Sequence, residues 1–182
     1  MTMKKKEKPT KWFWLDLEMT GLNPTRDRIF EVAVIITDSE RTELATYSAT
    51  VHHDTGSFKK LIKENPVWAD RGFKEVIGRV KQGINETKIE KELITLVEKY
   101  YLPGEAVYLA GNSIRVDRSF IDSWMPNFAK FLHYRMLDVS TFKLWWVAQG
   151  GKEYKKRELH SALPDIRESI AELKYYSSKL NQ

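Results

Sequence analysis

Two carboxylates inside an apolar run constrain this chain more than any other feature. The run is Trp12-Phe13-Trp14-Leu15-Asp16-Leu17-Glu18-Met19-Thr20-Gly21. Its aromatic content and short length favour a strand, and in a strand Asp16 and Glu18 project from the same face. Two ionised carboxylates buried side by side without compensation cost several kcal/mol. Residues 12–18 contain no lysine or arginine. A divalent cation is the simplest compensation, because carboxylate oxygens are preferred ligands of magnesium and manganese.

A length of 182 residues favours one domain with a real hydrophobic core. We expect a basic flexible tail over 1–11, carrying Lys4-Lys5-Lys6-Glu7-Lys8, and a single domain over 12–182. The apolar run after the tail is too short for a signal peptide and ends in Asp16. No stretch approaches the ~20 apolar residues of a membrane helix. The expected location is therefore the cytoplasm, or an organelle interior. The absence of cysteine excludes disulfides, a thiol nucleophile and thiolate zinc sites. There is no G-x-S-x-G elbow, no P-loop and no H-E-x-x-H. The net charge of +5 suits a polyanionic partner.

Periodicity and punctuation predict strands over 12–18, 28–37 and 42–51, spaced closely enough for an antiparallel meander. Short helices and loops follow over 54–87. One helical face carries Ile89, Leu93, Leu96, Val97 and Tyr100, and Pro103-Gly104 ends it. A buried strand over 106–110, a helix over 117–124 and a strand over 134–137 come next. The chain then reads as a helix over 140–149, a basic loop over 150–157 and a closing helix over 165–179. Meander strands followed by alternating helices and strands give an α/β fold with a mixed β-sheet flanked by helices.

Three further residues complete a possible centre. Asp117 follows Gly111-Asn112-Ser113, where a buried strand turns into a helix; strand ends are where ligands bind in α/β folds. Asp117 equally suits a helix N-terminus, where an acid complements the dipole. Asp165 follows Pro164, and His160 lies five residues before it. These two also have a plainer alternative, as a dipole partner and a hydrogen-bonded surface histidine. Together the four acids could hold two metals about 3.5–4 Å apart, the arrangement that clamps both oxygens of a phosphoryl displacement. His160 could then take a proton from the attacking water.

The order of these blocks resembles the oligoribonuclease family, within the DEDDh 3′→5′ exonucleases of ribonuclease H-like fold. The matching blocks are Asp16 to Leu22, Gly111-Asn112-Ser113 with Asp117, Tyr134 to Thr141, and His160 with Asp165 to Leu173. The resemblance implies a homodimer that degrades short single-stranded RNA, especially dinucleotides, to 5′-mononucleotides with two divalent ions, Mg²⁺ or Mn²⁺. It implies that Asp16, Glu18, Asp117 and Asp165 are the metal ligands and His160 the general base. Met19, Gly21 and Leu22 would contact substrate, with Leu22 wedged against a base. Trp68 would enclose the 3′ nucleotide. Ser113, Arg135 and Ser140 would cap the terminal phosphate, and Tyr134 of the partner subunit would close the site. The chain departs from the family pattern at Phe73, where a histidine is expected, and at Pro164, where an acid is expected. The competing expectations are a DEDDh exonuclease that trims longer RNA tails or single-stranded DNA, and a nucleic-acid-binding protein without catalysis.

Overall fold

The structure, a computed structural model, describes residues 9–65, 73–156 and 161–179. The elements in chain order are β1 (Lys11–Met19), β2 (Ile29–Asp38), β3 (Glu43–Thr50), α1 (Thr55–Lys63), α2 (Phe73–Gln82), α3 (Glu86–Tyr100), β4 (Leu109–Gly111), α4 (Arg115–Trp124), α5 (Pro126–Ala129), β5 (Leu137–Asp138), α6 (Val139–Ala148) and α7 (Ala162–Lys179). They form one mixed sheet in the order β3-β2-β1-β4-β5. The meander is antiparallel, whereas β1–β4 and β4–β5 pair in parallel.

Strand β2, Ile-Phe-Glu-Val-Ala-Val-Ile-Ile-Thr-Asp, is buried along nearly its whole length because both sheet faces are covered. β3 and β5 are the edges; the outward residues of β3 are polar apart from Leu44, which discourages pairing with another chain. In β1 the odd residues Phe13, Leu15 and Leu17 pack with Ile89, Leu93 and Val97 of α3 and Phe120 of α4. Trp14 faces the other way, with Ala33 and Ile35 of β2 and Ala162, Ile166 and Leu173 of α7. A smaller cluster joins Phe30 to Phe58 and Ile62 of α1 and Val76 and Val80 of α2.

Several boundaries differ from the sequence expectation. Lys11, expected in the tail, opens β1, and residues 1–8 of that tail lie outside the described residues. The strand expected over 106–110 is Leu109–Gly111, and the helix expected over 117–124 begins at Arg115. The strand expected over 134–137 is Leu137–Asp138, paired with Ala110 and Gly111. Its partner β4 is only three residues long, so the earlier residues have no ladder to join, and Tyr134 and Arg135 are exposed. The last helix begins at Ala162 instead of Asp165. Pro164 thus lies inside the first turn, where its missing N–H would have had no helical acceptor anyway. The first helical bond runs from the Asp165 N–H to the Ser161 carbonyl at 3.0 Å.

Candidate active site

The alternation of β1 separates two tasks. Its odd residues enter the core, and its even residues Trp12, Trp14, Asp16 and Glu18 share the face covered by α7. Trp14 lies under the body of that helix. Asp16 and Glu18, further along the strand, come level with its first turn, which carries Asp165. One ligand oxygen from each of Asp16, Glu18 and Asp165 lies within 4.8 Å of the others. Each residue is half-buried.

Asp117 stands one step away. It lies in the first turn of α4, is 5% exposed, and its Oδ1 accepts the Leu17 N–H at 3.0 Å. β4 pairs with β1 only at Phe13 and Trp14, so the Leu17 N–H has left that ladder and takes a side-chain acceptor instead. Gly111 permits the turn out of β4: a Cβ there would meet the Leu15 carbonyl at 2.9 Å.

Burial pushes the Asp16 carboxyl well above the ordinary carboxylate range, helped by Asp117, Glu18 and Asp165 and opposed by Lys156. Burial and the neighbouring Glu31 push Glu18 to about 7, against the pull of Arg79. Burial likewise raises Asp117 to about 7, although the backbone N–H groups of Leu17 and Asp117 itself work the other way. Among the described residues no lysine or arginine forms an ion pair with Asp16 or Glu18. Clustered, desolvated carboxylates with this charge deficit fit a hard divalent cation, whose preferred ligands they are.

A second polar array adjoins this cluster. Ser113 and Ser140 meet, with the Ser113 N–H donating to Ser140 Oγ and Asp138 Oδ1, each at 3.0 Å. Asp138 also caps α6, accepting the Ser140 N–H at 2.9 Å. Asn112 donates to Ser169 at 2.8 Å and to Glu172 at 2.9 Å. The Arg135 guanidinium lies 5.3 Å from the Tyr134 ring centre on an exposed segment. Leu22 is 77% exposed at the tip of the turn after β1. Gly21 lies against the Asp27 carboxylate, too close for a Cβ, and Met19 ends the strand. Trp68 and His160 lie outside the described residues.

Sequence reasoning missed Glu31, Lys156 and Glu172. Glu31 pairs directly opposite Glu18 and forms an ion pair with Arg79 at 2.7 Å. Its signal was a lone acid within the apolar run of β2. Glu172 follows Asp165 by two helical turns and so shares its face. Nothing in the sequence singled out Lys156 among its basic neighbours.

A family model described as Exonuclease matches residues 13–173. The fold is similar to the zinc-bound complex of Escherichia coli exonuclease I with single-stranded DNA, with a TM-score of 0.63, 14% identity and 96% of this chain covered. The chain spans 42% of that protein's length, so the likeness concerns the fold alone. The chain belongs to the exonuclease family. Within it the chain belongs to the oligoribonucleases. It is 40% identical over 169 residues to the oligoribonuclease of Neisseria meningitidis, covering 90% of this chain and 88% of that one. It is also 40% identical to that of Coxiella burnetii, covering 92% of each.

Proposed function

We propose that the protein is a cytoplasmic, homodimeric 3′→5′ exoribonuclease that hydrolyses very short RNA, above all dinucleotides, to 5′-mononucleotides. The observation that carries the chemistry is the convergence of Asp16, Glu18 and Asp165 within 4.8 Å, beside the buried Asp117. These four residues would hold two divalent ions, Mg²⁺ or Mn²⁺. Such ions, when bound, supply Lewis acidity: they neutralise charge on the phosphoryl group and ease the ionisation of water.

The chain's own groups do the rest. His160 takes one proton from the attacking water, a task suited to a group titrating near neutrality. Water oxygen bonds to phosphorus, the P–O3′ bond breaks, and the upstream 3′-oxygen leaves as a hydroxyl after gaining a proton. The released 3′ residue carries a 5′-phosphate. Leu22 and Trp68 hold the bases, and Met19 and Gly21 contact the substrate; stacking on an aromatic contributes about 1–3 kcal/mol per base. Ser113, Ser140 and Arg135 cap the terminal phosphate, the guanidinium offering two parallel donors. Tyr134 of the partner subunit closes the pocket. The dimer is supported by apolar surface on α6, where Leu144, Trp145 and Val147 are exposed, and by Tyr134, which is 73% exposed.

The deciding experiment is cleavage of 5′-labelled RNA of two, three, five and seven nucleotides with magnesium, manganese or chelator. Rates that peak at two nucleotides and vanish with chelator support the proposal. Equal rates at all lengths would indicate an exonuclease that trims longer RNA tails or single-stranded DNA. No cleavage in any condition would leave only nucleic-acid binding.

A further inference from the structure

We propose that Lys156 is a positioning residue for the terminal-phosphate cap, acting through Glu172 and Asn112. The proposal rests on the reading of Ser113, Ser140 and Arg135 as that cap. The starting point is Glu172, a carboxylate only 1% exposed on α7. A buried carboxylate needs both a counter-charge and hydrogen bonds. Glu172 Oε2 receives Lys156 Nζ at 2.9 Å and Asn112 Nδ2 at 2.9 Å. Lys156 also donates to Ser169 Oγ at 3.3 Å. Lys156 thus ties the stretch 150–156 to the helix that carries Asp165.

The carboxylate sets the sense of the Asn112 amide. With Nδ2 held between Ser169 and Glu172, Oδ1 faces the opposite side and accepts the Ser140 hydroxyl at 3.1 Å. A flipped amide would place its carbonyl oxygen against the Glu172 carboxylate. The Ser140 proton is thereby committed, so Ser140 serves the cap as an acceptor: it takes the Ser113 N–H at 3.0 Å and leaves the Ser113 hydroxyl proton free to turn to a bound phosphate. Ser113 has φ of 50°, in the left-handed region, so its turn depends on such acceptors. The chain of contacts runs from Lys156 through Glu172, Asn112 and Ser140 to Ser113. It joins the basic stretch to α7, to the turn after β4 and to the start of α6.

The test compares a 5′-phosphorylated with a 5′-hydroxyl RNA dinucleotide. Lys156→Met keeps the aliphatic stem and removes the charge. It is expected to shrink the wild-type preference for the phosphorylated substrate ~10-fold, chiefly through KM, as befits loss of charge-assisted binding. Any effect of the lost charge on the acidic cluster acts on both substrates and cancels in the ratio. Lys156→Met combined with Glu172→Gln should restore the preference, because the neutral side-chain amide oxygen can accept from Asn112 without a counter-ion. Lys156→Arg should resemble wild type. An unchanged preference in Lys156→Met, equal losses on both substrates, or a double variant that stays at the single variant's ratio would overturn the relay. Arg135→Ala is run alongside. Preference surviving in Arg135→Ala overturns the cap and the relay with it. Preference lost there but kept in Lys156→Met overturns the relay alone.

Discussion

The Leu17 backbone N–H donates to the Asp117 carboxylate at 3.0 Å. Leu17 lies between Asp16 and Glu18, so α4 is fastened to β1 at the residue that separates two proposed metal ligands. Asp117 therefore has a structural partner as well as a proposed catalytic role, and the two can be separated.

Asp117→Asn keeps an oxygen that can accept from Leu17 and removes the charge. Hydrolysis is expected to fall by at least ~100-fold, the scale seen when charge stabilisation is removed from a transition state. Unfolding in urea should be unaffected or shift slightly to higher midpoint. Asp117→Ala also orphans a buried N–H, costing a further 1–3 kcal/mol, roughly. Activity surviving in Asp117→Asn would remove the residue from the metal set.

The cation-free protein should lose stability as pH rises from about 4 to about 7. The folded pKa of Glu18 and of Asp117 is raised to about 7, and that of Asp16 is also raised. In that window the folded state binds more protons than the unfolded chain, so stability declines with pH. His53, lowered by burial, works in the opposite sense near its ordinary value, but Glu86, raised by burial, joins Asp16, Glu18 and Asp117 against it. Melting curves in chelator at pH 5 and pH 7.5 read this directly, and added magnesium should recover the loss at pH 7.5. A chelated protein more stable at pH 7.5 would contradict the burial of these acids.

Arg135→Ala should reduce dinucleotide cleavage by about 10–100-fold, the worth of a charged bidentate contact. Cleavage of a seven-nucleotide strand should change far less, because a longer strand does not end at the cap. Equal losses on both lengths would remove Arg135 from end recognition.

Arg79→Met leaves Glu31 without its ion-pair partner, with Glu18 directly opposite. Arg79 is partly exposed, so a stability loss of about 1–3 kcal/mol is expected, below that of a fully buried pair. Cation affinity measured by calorimetry should fall at pH 7, because Glu18 must then ionise beside an unpaired carboxylate. Unchanged affinity would disconnect Glu31 from the site.

The strand meander was legible because its apolar runs are short and punctuated, and Asp16 and Glu18 stood out against such a background. The meeting of β1 with the first turn of α7 was legible only through the resemblance, since no periodicity relates residue 16 to residue 165. The early start of α7 was missed because Pro164 reads as a boundary, although a first turn tolerates it. The Glu31–Arg79 pair and the Lys156–Glu172 pair were missed for a common reason. Each depends on a partner elsewhere in the chain: Glu31 stands out as a lone acid in β2, but nothing local marks Arg79, Lys156 or Glu172.

The two-sided character of β1 has an evolutionary consequence. Its odd residues and the even Trp12 and Trp14 serve cohesion, while the even Asp16 and Glu18 carry the proposed chemistry, so substitutions among the odd residues can accumulate without touching the acids. A change in length has no such freedom. One residue inserted between Trp14 and Asp16 would either turn Phe13 and Trp14 to each other's face or drive the acids into the hydrophobic layer. The strand can drift in composition, but its residue count is fixed by the need to keep both faces in phase.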